Sequence, residues 1–318
     1  MIEIKHLSMK FGSFTAVDDV SFQVQKGEVL GFLGPNGAGK STTMKMITGF
    51  LTPVSGTAIV CDFDIAENPI EAKKNIGYLP EGAPVYADMT VQGFLEFIAD
   101  VRGYSKEEKQ VAVETAMEKT HLQEVKNKSI DTLSKGFKRR VGIAQAILHD
   151  PPVLIMDEPT DGLDPNQKFE VRELIKKMAK DKAIIISTHI LEEVEAICTR
   201  AIIIAQGKKL FDGSPAELQG KAEDHNAVQV SFSPSNRPAN FESTIKAIEG
   251  ISEIKQREEN GTIHYTLLSK EGRSIAQRIN QVIQEQNWKV DELFSSKGQL
   301  DTVFRQLTQS GEQKGVRT

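Results

Sequence analysis

The loop formed by residues 34–41 constrains this chain more than any other feature. It reads Gly-Pro-Asn-Gly-Ala-Gly-Lys-Ser, it follows the apolar run Val29–Leu33, and a helical pattern begins at its end, at Lys40. Glycine adopts positive φ readily, so such a loop can wrap closely around a ligand and turn its N–H groups inward. Strand, loop and helix in this order predict an α/β fold with a phosphate site at the helix N-terminus.

Each part of the loop has a predicted contact with phosphate or metal. The Lys40 ammonium is expected to reach the β- and γ-phosphates of a nucleotide, and the Ser41 hydroxyl to hold Mg²⁺. A glycine-rich structural turn is the alternative interpretation of the same residues. The other predicted nucleotide-binding residues of this segment are Gly34, Pro35, Asn36, Gly37, Ala38, Gly39 and Thr42.

Two carboxylates follow a second apolar run, residues 153–156. Ligands of α/β sheets bind at the carboxyl ends of the strands, so we expect Asp157 and Glu158 to lie beside the phosphate loop. Asp157 is predicted to hold Mg²⁺, and Glu158 to polarise a water molecule for attack on the γ-phosphate. The alternative for Glu158 is an acid that supports its neighbours without a catalytic role.

Three further segments narrow the choice among phosphate-loop proteins. Leu-Ser-Lys-Gly-Phe occupies 133–137, Asp-Glu-Pro-Thr-Asp-Gly-Leu-Asp occupies 157–164, and Ser-Thr-His occupies 187–189. Together with the Lys40 loop, and in this order, they resemble the ATP-binding cassette (ABC) family over about residues 1–220. The resemblance implies an ATPase that uses ATP and Mg²⁺. It also implies a head-to-tail partner, expected to be a second copy of the chain, with two ATP molecules held between the subunits.

The resemblance assigns roles to residues on the nucleotide side of the site. Phe11 would stack on the adenine ring, and Val17 would border the same base; a core phenylalanine is the alternative for Phe11. His189, directly after a buried strand, would hydrogen-bond the γ-phosphate or the attacking water. A histidine satisfied within the core is the alternative there.

Other residues are assigned by the resemblance to the partner side. Ser134 and Gly136 would contact the ATP bound by the other subunit, where the N-terminus of their helix suits a γ-phosphate. Asp164 would contact the partner subunit directly. Ser134 and Asp164 also have the chemistry of helix N-caps, and that structural role alone is the alternative for each.

Two residues depart from the usual family pattern. Glu81 ends Ile-Gly-Tyr-Leu-Pro-Glu, residues 76–81, where the family usually has glutamine; it could ligate Mg²⁺ or orient water, or be an inert surface acid. Lys135 adds a cation beside Ser134, near the phosphate or simply in solvent. Both departures resemble the gliding-motility and antibiotic-resistance branch of exporter ATPases. Residues 299–308 are similar to the end of that branch's C-terminal extension.

The hydrophobic pattern predicts two domains. Residues 1–220 are expected to form the cassette, with a mainly parallel sheet, an N-terminal antiparallel β subdomain and a helical subdomain. A polar linker at 220–226 would lead to a small α+β domain, 227–308, with βαββαβ order and a hairpin turn at Asn260-Gly261. Residues 309–318 are predicted to be a flexible tail.

We therefore expect an ATP-hydrolysing subunit of an ABC transporter, by resemblance an exporter. No apolar run approaches the roughly twenty residues that span a bilayer, so the permease is expected to be a separate chain. This chain would then lie on the cytoplasmic face of the membrane and contact the permease through residues 84–90. A net charge of −5 gives no reason to expect a nucleic-acid partner.

Two other functions remain open from the sequence. The first is a cytosolic ABC-type ATP switch without transport; a single phosphate loop and the lack of a long heptad run disfavour its known forms. The second is an interaction module that binds ATP and hydrolyses it weakly. The pair Glu158 and His189 argues against that module, whereas Glu81 and Lys135 leave it open.

Overall fold

The computed structural model describes residues 1–82 and 85–314. They form two compact units by their contacts, the first of residues 1–213 together with 311–314 and the second of residues 214–310. The strands of the first unit are β1 (Ile2–Phe11), β2 (Phe14–Val24), β3 (Val29–Leu33), β4 (Ser55–Val60), β5 (Phe63–Asp64), β6 (Ile76–Leu79), β7 (Val153–Asp157), β8 (Ala183–Thr188), β9 (Arg200–Ala205) and β10 (Lys208–Gly213). Its helices are α1 (Lys40–Ile47), α2 (Pro69–Lys74), α3 (Val91–Val101), α4 (Lys106–Lys119), α5 (Lys135–Ile147), α6 (Pro165–Ala179) and α7 (Leu191–Ile197).

A six-stranded sheet, ordered β10-β9-β3-β8-β7-β6, forms the centre of the first unit. All its pairings are parallel except that of β9 with β10. Its inner strands β3, β7 and β8 are buried along their whole length because both faces are covered. In β8, for example, Ile184 and Ile186 pack in the core shared with α3–α6, whereas Ile185 packs on the opposite face. This arrangement brings the carboxyl ends of β3, β7 and β8 to one edge.

A second, antiparallel sheet, ordered β2-β1-β4-β5, contributes to the core that contains Ile185. Its strands alternate between buried and exposed residues, as expected for a sheet with one wet face. Helix α1 also contributes to this core, through Met44, Met46 and Ile47. The predicted mainly parallel sheet and the N-terminal antiparallel subdomain are therefore confirmed.

Helices α3, α4 and α5 form the predicted helical subdomain on the other face of the central sheet. The Thr90 hydroxyl caps α3, and Ser105 and Glu108 form a reciprocal capping box at α4. Ser134 caps α5 by accepting a hydrogen bond from the Phe137 N–H. The helix starts are thus fixed by polar residues that satisfy otherwise unpaired backbone donors.

The second unit is an antiparallel sheet with helices. Its strands are β11 (Val228–Phe232), β12 (Ile251–Glu259), β13 (Thr262–Ser269) and β14 (Glu292–Ser295), in the order β12-β13-β11-β14. Its helices are α8 (Pro215–Gln219), α9 (Phe241–Lys246), α10 (Ala276–Glu285) and α11 (Leu300–Lys314). From β11 to β14 the order is βαββαβ, as predicted. The rings of Phe232, Phe241 and Tyr265 pack together in its core, with ring centroids 4.5 to 6.1 Å apart.

The boundaries of the second unit differ from the predicted ones. The compact unit begins at Ser214, ahead of the predicted linker at 220–226. Within that polar segment the His225 ring bonds the Lys297 carbonyl, and the Asn226 amide donates to the Gly272 carbonyl, so its polarity serves hydrogen bonds inside the unit. At the other end α11 continues to Lys314, so residues 309–314 of the predicted flexible tail are helical, while 315–318 lie outside the described residues.

Candidate active site

The loop between β3 and α1 needs glycine because other backbone segments crowd it. Gly39 is the N-cap of α1 with φ 106°, and a Cβ there would lie 2.4 Å from the Ala16 carbonyl oxygen. A Cβ on Gly34 would lie 2.3 Å from the Ile204 carbonyl oxygen. Positive φ and this close contact are tolerated only without a side chain. The loop therefore presents its amides at the N-terminus of α1, as the sequence predicts.

The Lys40 side chain folds back over this loop. The residue is buried, and its Nζ donates to the carbonyls of Gly34 at 2.8 Å and Pro35 at 3.2 Å. Burial lowers the pKa of the ammonium, while the carboxylates of Glu158 and Asp157 act to raise it. The positive charge thus lies where the loop amides converge, as a phosphate group requires.

An open cleft of about 350 Å³ extends along the loop. It holds most of the predicted nucleotide contacts together with two carboxylates and an aromatic edge. The lining residues are Phe11, Phe14, Ala16, Asn36, Gly37, Gly39, Lys40, Ser41, Thr42, Glu81 and Glu158. The structure therefore brings Glu81, far from the loop in sequence, into the same cleft.

The aromatic edge of the cleft differs from the prediction in two residues. Phe11 is half exposed, and Phe14, which the sequence reading missed, is 60% exposed beside it. Both lie at the turn between β1 and β2. Two aromatic residues so close in sequence at a turn could have indicated that Phe14 also borders the site. Val17 is fully buried, with its side chain close to Gly39 of the loop, and Ala16 beside it in sequence lines the cleft. A flat base could stack on either phenylalanine.

Asp157 has the donor geometry of a metal-site acid. The residue is buried at the end of β7, and its Oδ1 accepts a hydrogen bond from the Ser187 hydroxyl. Its Oδ2 is buried and has no hydrogen-bond partner among the described residues. A buried carboxylate oxygen without a partner is costly, and Mg²⁺ or its water would satisfy it. Ser41 and Glu81, the other two predicted magnesium ligands, line the cleft, whereas Asp157 is not among its lining residues.

Glu158 and His189 form a pair beside the cleft. His189 Nδ1 lies 2.8 Å from Glu158 Oε2 and 3.0 Å from Oε1. Glu158 has the left-handed φ of 53°, and its N–H donates to the Ser187 carbonyl. The imidazole thus orients the carboxylate at the carboxyl ends of β7 and β8. A carboxylate held in this way can act as a general base toward a water molecule.

Ser134, Gly136 and Asp164 lie at helix starts. Ser134 and Asp164 are exposed and cap α5 and α6, the latter by accepting from the Gln167 N–H at 3.0 Å. Gly136 is buried, and a Cβ there would meet the amide end of the Gln167 side chain, which would have to move. The alternative capping roles of the two residues are therefore real. Because Ser134 remains exposed, capping leaves its helix start free for a second role.

The arrangement combines a cradle for phosphates, oxygen donors for Mg²⁺ and an oriented carboxylate. Sequence reasoning missed Ser187 and Arg139, which hold Asp157 and the backbone of Glu158. Ser187 lies only two positions before His189, and a hydroxyl at the end of a buried strand could have indicated its role. Arg139 lies in a run of cations with Lys138 and Arg140, and nothing in that run distinguishes the one that the structure buries.

Comparison with known proteins identifies relatives of this chain. The family model described as ABC transporter matches residues 17–161. The linearmycin resistance ATP-binding protein of Bacillus subtilis is 33% identical over 259 residues, which cover 81% of this chain and 83% of the relative. A probable multidrug ABC transporter ATP-binding protein of Escherichia coli is 37% identical over 230 residues. This match covers 72% of this chain but 39% of the longer relative.

A solved structure shows the same likeness. The structure described as the ATP-binding subunit of an ABC transporter is 31% identical to this chain and has a TM-score of 0.63. The match covers 69% of this chain and 92% of that structure.

Proposed function

Because the chain belongs to the ABC transporter family, as one of its ATP-binding proteins, we propose that it hydrolyses ATP to drive a separate membrane permease. The observation that carries this proposal is the cleft in which Lys40, Ser41 and Glu158 face one another. It brings a phosphate cradle and a candidate general base into one site. Its relatives support an exporter, since one is named for linearmycin resistance.

The residues of the cleft divide the work of hydrolysis. The loop amides and Lys40 would bind the phosphates of ATP, with Phe11 or Phe14 against the base. Glu158 would take a proton from the attacking water, and His189 would hold the carboxylate in place. Ser41, Asp157 and Glu81 would hold Mg²⁺, which would neutralise part of the phosphate charge.

Two copies of the chain would complete the site. Ser134 and Asp164 lie exposed at helix starts, outside the residues that line the Lys40 cleft. A helix N-terminus attracts anions, so the start of α5 in one copy would bind the γ-phosphate held by the other. ATP would then close the dimer, and hydrolysis would release it. This homodimer would lie on the cytoplasmic face of the membrane.

A groove of about 570 Å³ is the proposed permease contact. Tyr78, Val85 and Tyr86 lie along it with Phe94 and Ile98 of α3. Tyr86 is more than half exposed, and the buried Tyr78 hydroxyl has no hydrogen-bond partner among the described residues. A groove lined by aromatic and aliphatic side chains, with Lys73 and Arg102 also on it, suits a short amphipathic segment of a partner.

The groove coincides in part with the predicted contact region, 84–90. Val85 and Tyr86 of that region line it, and residue 84 lies outside the described residues. Because Glu81 lines the ATP cleft only a few residues earlier, this short segment would connect nucleotide and permease. None of the described helices combines the length and apolar character needed to cross a bilayer.

Purification from the native cells tests the proposal. We would tag the Glu158→Gln form, solubilise the membranes with ATP present and identify bound proteins by mass spectrometry. A polytopic membrane protein in near-equal amount is the expected result. Recovery of soluble partners alone would contradict transport and favour the cytosolic ATP switch.

A pair of matched variants locates the contact. Tyr86→Ser, added to the tagged form, is expected to reduce recovery of the membrane protein severalfold. Phe169→Ser removes an equally exposed aromatic side chain from α6 and should leave recovery unchanged. Equal recovery with both variants would exclude the groove as the contact.

A further inference from the structure

Arg139 lies in α5 and is buried among the backbone atoms that follow β7. Its Nη2 donates to the carbonyls of Asp157, at 2.6 Å, and Glu158, and its Nε donates to the carbonyl of Pro159 at 3.1 Å. The residue is 6% exposed. One guanidinium group therefore binds the carbonyls of three consecutive residues, in the segment that carries both acids of the site.

A buried arginine needs a specific reason, because taking its charge out of water is costly. Burial lowers the pKa of Arg139, while Asp161, Asp157 and Glu158 act to raise it. Yet its hydrogen bonds go to main-chain oxygens and not to those carboxylates. The rigid fork of guanidinium donors matches this row of carbonyls, which a lysine ammonium could not do as well.

The backbone that Arg139 holds is in an unfavourable conformation. Glu158 has φ of 53°, in the left-handed region that side chains other than glycine rarely adopt. Its N–H is fixed by the Ser187 carbonyl, and its own carbonyl is fixed by Arg139. The direction of the Glu158 side chain therefore depends on a hydrogen bond from Arg139, which lies in α5.

We propose that Arg139 is a positioning residue that aligns Glu158 for catalysis and connects it to the start of α5. This proposal rests on the function proposed above. Ser134, the cap of that helix, lies five residues before Arg139, or about 7–8 Å along the axis. An α-helix this short moves as a rigid element. Contact of Ser134 with the ATP bound by the partner subunit would thus shift α5 and Arg139. That shift would change the position of Glu158 beside the ATP that this chain itself binds.

The test compares three arginine variants of the full chain. Arg139→Met removes all donors and Arg139→Lys keeps the charge. Arg140→Met serves as the control, since Arg140 is next in sequence and pairs with the exposed Glu170. We expect Arg139→Met to lower kcat at least about tenfold while ATP affinity stays within about threefold. Arg139→Lys should recover part of kcat, and Arg140→Met should retain it.

A double variant separates positioning from general damage. In a Glu158→Gln background the base is gone, so adding Arg139→Met should lower the residual turnover no further. A further tenfold loss in that background, or an unchanged kcat in Arg139→Met alone, would overturn the proposal. If Arg139→Met does not fold, the same comparison is made with Arg139→Lys. Absence of ATP hydrolysis by the unmodified chain would instead contradict the proposed function.

Discussion

At the scale of single residues, the rate of hydrolysis would depend most on the carboxylate of Glu158. Its side chain is 13% exposed, and the imidazole of His189 holds it from one side. Partial burial and a fixed direction favour proton transfer from one bound water molecule over exchange with bulk solvent. Lys40, in contrast, would bind phosphate without taking part in proton transfer.

Replacement of Glu158 by glutamine tests this division. Because the amide keeps the shape but cannot take a proton, turnover should fall at least about a hundredfold while ATP binding is retained. Phosphate release and equilibrium nucleotide binding give the two readouts. Glu170→Gln, on the exposed face of α6, is the control and should hydrolyse ATP normally. Normal turnover in Glu158→Gln would exclude it as the base.

His149 predicts an acid-sensitive stability. Its Nε2 lies 3.1 Å from the Ile76 carbonyl oxygen, and its Nδ1 is buried without a hydrogen-bond partner among the described residues. Burial lowers the pKa of His149 to about 4. The unfolded chain, with a pKa near 6.5, binds the proton more tightly. Stability should therefore fall as the pH drops from about 6.5 to about 4.

Urea unfolding at pH 7 and pH 5 measures this dependence. His149→Gln keeps a donor for Ile76 but does not titrate, so its loss of unfolding free energy on acidification should be smaller by up to about 2 kcal/mol. Equal losses in the two proteins would show that His149 is not responsible.

Residues of the site differed in how well the sequence identified them. The Lys40 loop, Asp157 and Glu158 were predictable because their chemistry depends on a local pattern next to an apolar strand. Phe14, Ser187 and Arg139 were not, since their roles arise from contacts between segments far apart in the chain.

At the scale of secondary structure, the site depends on the close packing of α5 against β6. A Cβ on Gly77 would lie 2.1 Å from the Ala146 carbonyl oxygen and 2.6 Å from Leu154 Cδ2. The two backbone segments cannot move apart without displacing α5, the helix that contains Arg139 and is capped by Ser134. The close packing of the strand and the helix thus requires glycine at this position.

Gly77→Ala should therefore lower both stability and activity. We expect the free energy of unfolding to fall by about 1–3 kcal/mol, as for overpacked cores, together with kcat for ATP. Gly220→Ala is the control, since the nearest atom to its Cβ would be 3.4 Å away and its φ of −60° suits alanine. If both variants unfold at the same denaturant concentration, α5 is not fixed by this contact.

The elements themselves were largely predictable, whereas some boundaries were not. Buried strands such as β3 and β8 were marked by apolar runs, and α4 by its capping box. The second unit begins at Ser214, ahead of the predicted linker at 220–226. Such boundaries are set by tertiary packing, which periodicity alone does not encode.

At the scale of the whole molecule, the chain comprises two compact units. The lining of the ATP cleft lies entirely in the first unit, as does the groove proposed for the permease. Sequence patterns gave the order of elements in both units, but the division at Ser214 depends on contacts that no local pattern reports. The proposed dimer depends most on the exposed start of α5.

The mass of the Glu158→Gln chain in solution, with and without ATP, tests the central claim most directly. Sedimentation velocity should give a monomer of 35.2 kDa without nucleotide and twice that mass with ATP. Adding Ser134→Arg should keep ATP binding but leave the chain monomeric, since a bulky side chain would block the helix start. Dimers that form equally well with Ser134→Arg, or ATP-bound chains that stay monomeric, would contradict the ATP sandwich.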